Sequence, residues 1–348
     1  MRRLVLAAKP RFNIGSAVGA DPSLLDGVTG VVRTASRSVA IGDGGNNRVS
    51  FFDDQGRFVR SVGRAGDGPG EFRQQRWMGQ CADGTIAVQD GAHGNLTMLT
   101  PSGEFRRTVP LPPDANFDQV LWCSAAGTLF VLVNQPRDDV ARGSEPGVPT
   151  ALIRVAANRT DTISRPGARD FYIGRGVSAG TNMPLGHDVL AAAGRTRIFV
   201  CTNHEGRCTV LDTTGVTVGT FVLDYPVRPV DAAGWQAALR DHYLLEPSRR
   251  VRKTGDKLLA EIKPRTTFPR IDQVFADRTD RLWVRTLDNF GTPWATWVIL
   301  SRDGKAVAMV AMPRRLTPRD AGPDYLVGSS RDGDDVEHVA YYPLTWPN

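Results

Sequence analysis

SVAIGD at 38–43, GGNN at 44–47, RVSFF at 48–52, DDQG at 53–56 and RFVRSV at 57–62 read as three short strands joined by two tight polar turns. The strand runs are apolar or alternating, and they are bounded by Gly, Asp and Asn, which tolerate the backbone of a reverse turn. A lone meander of this size cannot cover its own faces, so it needs neighbours. The chain supplies them. ADGTIAVQD (82–90), NLTMLT (95–100), PSG (101–103) and EFRRTV (104–109) repeat the plan. So do AAGTLFVLV (125–133) with ALIRV (151–155), and GRTRIFVCT (194–202) with CTVLD (208–212), TTG (213–215) and VTVGTFV (216–222). A fifth copy is RTDRLWVRT (278–286), WATWVIL (294–300), RDG (302–304) and KAVAMV (305–310). The turns at 56, 103, 158 and 215 recur about every 50 residues, and the one at 304 is late because a long insertion precedes it. That period is the signature of propeller blades.

Five copies leave both termini unused. YLVGS (325–329) and VEHVAYY (336–342), with DGDD (332–335) between them, form two strands of a sixth blade that RFNI (11–14) completes. The fold expected is therefore all-β: a six-bladed β-propeller of four-stranded antiparallel blades, closed by N- and C-terminal strands. One domain covers 1–348, with a helical insertion around 230–265 inside the interruption at 225–269. Closure removes the open edges that a broken ring would expose.

Composition agrees with this. The 36 Gly and 23 Pro suit a turn-rich chain, and 41% apolar residues suffice for a large core, which excludes disorder and collagen. The longest apolar runs, 4–8 and 189–193, fall far short of the roughly 18 residues that span a bilayer. Met1, Arg2 and Arg3 before LVLAA resemble the start of an export leader, but five apolar residues are fewer than the roughly seven to fifteen such a leader uses. The location expected is cytoplasmic or peripheral at a membrane surface, and exported or periplasmic if the true start lies upstream.

GRAGDGPGEF at 63–72 is the most specific stretch. Gly66, Gly68 and Gly70 can take positive φ, Pro69 fixes φ, and Glu71 is placed to accept N–H groups of the turn. A phosphate cradle would need a helix after the glycines, and a strand follows instead. DGGNNR at 43–48, FFD at 51–53, Gly56 and GRAGDGPGEF together resemble the NHL-type six-bladed propellers. LWV at 282–284 and the closing strands are similar to the bacterial branch of that family, so the resemblance runs over essentially the whole chain. The other blades lack a full GPGEF copy, and the export leader usual in the bacterial group is missing. The resemblance implies function on loops of one face or in the channel. It also implies an alternative, because six-bladed relatives include metal-dependent lactonases, arylesterases and a zinc-dependent lyase.

Cys81, Cys123, Cys201 and Cys208 match neither a CxxC redox site nor a zinc pattern. Cys201 and Cys208 flank a hairpin connection, and Cys81 and Cys123 precede equivalent turns in successive repeats, so each pair has a route to meet. Two readings stand: four buried thiols in a reducing compartment, or at least one bridged pair.

The net charge of +6 is local. From Arg240 to Arg270 there are nine basic and four acidic residues, just beyond a helix expected from the N-cap Asp231 to Leu245, with Trp235, Leu239 and His242 on one side. Arg249, Arg250, Arg252, Lys253 and Lys257, with Trp235, are the candidate partner-binding residues, for an acidic protein face or an anionic membrane surface; the alternative is a solvated insertion. No aromatics interleave the run, which disfavours nucleic acid. His93, His187, His204, His242 and His338 are scattered, without a HxH or HExxH pair, and no GxSxG occurs. Asp43, Asp90 and Asp288 end corresponding strands, either lining one face or capping N–H groups. Of Trp294 and Trp297, three residues apart, one belongs to the core. No motif calls for a catalytic residue, cofactor or metal. The function expected is a non-catalytic protein-binding or scaffolding propeller, an extrinsic accessory subunit of a larger complex, including one at a membrane. The alternative is a metal-dependent hydrolase or lyase using the channel; a third reading is a carbohydrate- or peptide-binding propeller.

Overall fold

The two middle runs of the repeat, Val39–Asp43 and Arg48–Phe52, are buried along nearly their whole length, whereas the outer run Phe58–Val62 is largely wet. Middle strands of a blade are covered on both faces by neighbouring blades, which is why they read as continuous apolar runs rather than as an alternation. In a computed structural model, which describes residues 2–17, 22–34, 37–112, 119–135, 141–145, 147–156, 159–175, 180–245 and 260–346, six such antiparallel sheets form the ring. Blade 1 runs from centre to rim as Val28–Arg33, Val39–Asp43, Arg48–Phe52 and Phe58–Val62. The innermost strands of blades 2 to 6 are Gln75–Gln80, Gln119–Cys123, Val189–Ala193, Gln273–Ala276 and Thr317–Ala321. The fold is thus the all-β six-bladed propeller of four-stranded antiparallel blades, with one short helix among the described residues.

The N-terminal segment closes the ring twice. Phe12–Ile14 pairs antiparallel with Glu337–Thr345 as the outer strand of blade 6, with Tyr341 opposite Phe12. Arg2–Arg3 adds in parallel to Ala306–Pro313 at the edge of blade 5. Leu4, between these contacts, is 4% exposed in the core shared by blades 5 and 6. The C-terminal aromatic residues finish the last blade: Tyr341 is buried, and the Trp346 indole N–H donates to Pro323 O at 2.6 Å. Trp297 belongs to the core and Trp294 is exposed.

The repeated turn glycines sit at positive φ and rest on the preceding blade. At Gly103, φ is 87° and a Cβ would stand 2.5 Å from the Phe51 ring of blade 1. The signature turn works differently from the expectation for two of its glycines. Gly63 and Gly70 have positive φ, but Gly66 and Gly68 do not. Gly66 is needed for room, since a Cβ there would lie 2.0 Å from Glu71 Oε2. That oxygen accepts the Gly68 N–H at 2.9 Å, and Oε1 takes Arg64 Nε at 2.6 Å, so the turn carries its own anion. Phe72, 1% exposed, then plugs the seam between blades 1 and 2.

Both cysteine pairs are bridged. Cys81–Cys123 ties the ends of the inner strands of blades 2 and 3, and Cys201–Cys208 crosses between paired strands of blade 4. The reading of four free thiols is overturned, because the blade geometry sets each pair face to face. No helix of the described residues is long and apolar enough to cross a membrane.

Candidate functional site at the channel mouth

The upper face of the ring carries the turns between second and third strands of each blade. Four of the six inner strands break register with their neighbours, blades 1 and 2 at the upper end and blades 3 and 6 two residues deeper. The residues left unpaired are Thr29 in blade 1, Arg76 in blade 2, Leu121 in blade 3 and Arg319 in blade 6. A bulge of this kind bends the strand and re-aims the extra side chain. Here Thr29, Arg76 and Arg319 line a cavity of about 350 Å³ together with Trp77, Gln89 and Gln119.

Arg319 is anchored by Nε donating to Ser329 Oγ at 2.8 Å. Its side chain is open to the channel yet has protein all round it, and that enclosure lowers the guanidinium pKa below the usual arginine range, opposed in part by Glu337. Glu337 is itself engaged: it accepts the Val28 N–H at 2.9 Å and Arg331 at 2.7 Å. Neighbouring Asp320 points the other way. Its two oxygens accept the Arg33 N–H, both Arg278 nitrogens and the Tyr325 hydroxyl, which knits blades 6, 1 and 5 together. Burial raises this carboxyl's pKa and those four donors oppose the rise.

Of the aspartates that end corresponding strands, Asp43 and Asp90 are caps. Asp43 accepts the Asp26 N–H at 3.0 Å and Arg48 Nε at 2.9 Å. Asp90 accepts the N–H groups of Arg73, Gln74, Ala92 and His93. Asn203 fills the same role in blade 4, accepting the Asp188 N–H at 2.7 Å, while Asp288 bonds the Thr286 hydroxyl. Asp43, Asp90 and Asn203 each tie the upper turn to the chain entering the inner strand, and Asp288 stays within its own turn.

The histidines divide. His93 lies between Asp67 (2.7 Å from Nε2) and Asp90 (3.0 Å from Nδ1). The Asp67 bond holds its pKa above the usual histidine range against desolvation, and Asp90 adds to the rise. His187 and His204 stack with ring centres 4.1 Å apart; His187 Nδ1 donates to Asp170 and His204 Nε2 to Leu185 O. Burial holds His204 below the usual range, and His187 acts in the same direction. His338 pairs with Asp332, and the His242 side chain lies outside the described residues. Among the described residues no group of three or more His, Cys, Asp or Glu is placed to hold a metal ion.

The insertion is seated on the outer part of blade 3. Asp231 caps the helix Ala232–Leu245, accepting the Gly234 N–H at 2.7 Å. Trp235 is 6% exposed and packs with Ala238 against Tyr172, Met183 and Ile262. This corrects the expectation for Trp235: its ring anchors the helix to the ring and is not free for a partner. Polar ties complete the seat, with Tyr172 donating to Glu261 at 2.5 Å and Arg265 bridging Asp170 and Glu145. Arg249, Arg250, Arg252, Lys253 and Lys257 lie outside the described residues.

No family model and no curated protein matches the sequence. Among solved structures, the ring resembles a member of the DUF4221 family from Bacteroides vulgatus, with a TM-score of 0.50 and 7% identity over 99% of each chain. It resembles a putative exported protein from Bacteroides fragilis with a TM-score of 0.48, 13% identity and coverage of 99% of this chain and 96% of that one. For virginiamycin B lyase from Staphylococcus aureus the values are 0.45, 13% and 99% of each. At such identities the likeness speaks to architecture alone. The six-bladed propeller is common ground; chemistry is not carried across.

Proposed function

We propose that the protein is a non-catalytic, protein-binding propeller that docks a partner at the rim of blade 4. The observation that carries this reading is the state of the outer strands. A sheet edge offers unpaired N–H and C=O groups, and soluble proteins blunt it with charge, proline or cover. Blade 1 carries Arg57 and Arg60 at its edge, and blade 2 carries Arg106, Arg107 and Pro110. The N-terminal segment covers blades 5 and 6. Blade 4 ends in Thr217–Val222, which contains no charged residue, and Val216, Val218 and Val222 are 59%, 50% and 55% exposed. Val218 is the extra residue of a bulge, which puts Val216 and Val222 on opposite faces, so the exposed valines flank the open edge on both sides. An extended segment of a partner protein would satisfy the backbone and cover the valines beside it.

The basic stretch around Arg249, Arg250, Arg252, Lys253 and Lys257 is a second contact in this proposal, toward an acidic protein face or an anionic membrane surface. Kinship with the NHL-type propellers is part of the reading and rests on residues 63–72. The two disulfides favour an oxidising compartment, which suits an exported or periplasmic accessory subunit.

The test is a photo-crosslinking amino acid at position 218, activated in native extract. A discrete protein adduct that V222K suppresses is expected. No adduct at 218, with adducts at position 263 of the insertion instead, overturns rim docking.

A further inference from the structure

We propose that the upper mouth of the channel binds a small carboxylate- or phosphate-bearing molecule, with Arg319 and Arg76 as its charge partners. This site is separate from the rim of blade 4 and does not rest on the docking reading.

The charge balance around the channel leads there. On the side of blades 4 and 5 the ionic groups at the inner strands are matched: Arg169 pairs with Asp188 at 2.6 Å, and Arg285 pairs with Asp272. On the side of blades 6, 1 and 2 Asp320 has Arg278, but two arginines are left without a carboxylate. Arg319 uses only Nε, toward Ser329, and Arg76 bonds only the Gln74 side chain at 3.1 Å. Neither has a carboxylate partner among the described residues, and the acid that acts on Arg319, Glu337, already serves Arg331 and the Val28 N–H. Both guanidiniums face the channel without a counter-charge, so each is free to take an anion through charge-assisted hydrogen bonds.

The rest of the wall adds groups that can donate. The Gln89 amide and the Trp77 indole N–H border the cavity without a hydrogen-bond partner among the described residues, and Thr29 adds a hydroxyl. The Trp77 ring lies against Gly79, where a Cβ would come within 2.3 Å of it, so the indole is fixed in the wall. Three donors arise from bulges in consecutive blades, a placement that a regular ladder would not give them. Guanidinium forks matched to planar or tetrahedral oxyanions, over an aromatic floor, make a site for a small organic acid or phosphate ester.

Calorimetric titration of the full chain at fixed ionic strength, with inorganic phosphate, succinate and neutral glucose as probes, decides the matter. Wild type should bind phosphate or succinate and not glucose; which of the two binds tighter assigns the ligand's acid group. Arg319→Met should weaken binding about tenfold or more, the usual loss for a charged hydrogen-bond partner. Arg207→Met, an equal loss of charge on the outside of blade 4, should leave it unchanged. Arg76→Met, at an exposed position, provides the same reading should Arg319→Met fail to fold. The proposal is overturned if wild type binds neither anion, or if Arg76→Met and Arg319→Met bind as wild type does. V218K should bind the anion normally, so failure here leaves rim docking standing, and the reverse.

Discussion

Blades 2 and 4 share one plan of four strands and differ at every place where function is presented. The inner strand of blade 2 bulges at Arg76 and turns a cation into the channel; that of blade 4 pairs with its neighbour in unbroken register. The upper turn of blade 2 holds His93 between two carboxylates, and that of blade 4 buries His204 against His187. The rim of blade 2 is guarded by Arg106, Arg107 and Pro110, while the rim of blade 4 is bare valine. The lesson is that the repeat builds the scaffold, and both proposed contacts lie at departures from it. Each departure has a local physical cause: a residue too many, a burial, or a missing charge.

The largest expected contrast between the two blades lies in their disulfides. Cys81–Cys123 closes a span of 42 residues between blades 2 and 3, and Cys201–Cys208 one of 7 within blade 4. Loop entropy gives roughly 4 kcal/mol for the first and roughly 2.5 kcal/mol for the second. Urea unfolding of C81S/C123S and C201S/C208S should rank them in that order; equal losses would show that the inter-blade link has no special weight.

The turn glycines sharpen the contrast next. Gly103 and Gly215 both have positive φ, 87° and 92°, so alanine strains either by about 1–2 kcal/mol. At Gly103 the new methyl also collides with Phe51 at 2.5 Å, whereas at Gly215 the nearest atom is 3.2 Å away. Overpacking adds about 1–3 kcal/mol in the first case only. Thermal melts of G103A and G215A that coincide would mean blade 2 has slack against blade 1.

Smallest in effect, and most direct to observe, are the two histidines. His93 has a raised pKa, so the stability it contributes is complete below its unfolded value, about 6.5, and is lost as pH rises through the folded value. His204 has a lowered pKa, so its contribution is present above the unfolded value and is lost as pH falls toward the folded one. NMR titration should place the two on opposite sides of the usual value, and D67N should bring His93 down. Both imidazoles titrating together would remove the distinction.

Much of the ring was legible in sequence. Gly at 56, 103 and 215 marks turns, and runs such as 39–43 and 86–90 are largely apolar because both faces are covered. The innermost strands were the least legible. Gln75–Gln80 and Thr317–Ala321 mix buried and channel-facing residues and carry an extra one, so neither alternation nor a continuous apolar run survives. The same extra residue hid Arg76 and Arg319 as site candidates, although Pro318 inside a strand is a hint of irregular pairing. Trp235 was legible as part of a helix face, but whether that face looked inward or outward was not, since Tyr172 and Met183 arrive from a different blade.

Local chemistry determined the strands, the turns, the number of blades and the latch between the ends, because each depends on backbone preference and on apolar spacing within a few residues. Three-dimensional packing decided which cysteines met, which arginines found a carboxylate and which edge stayed bare. Those outcomes depend on register between strands far apart in the chain, and a shift of one residue reverses the side to which every side chain points.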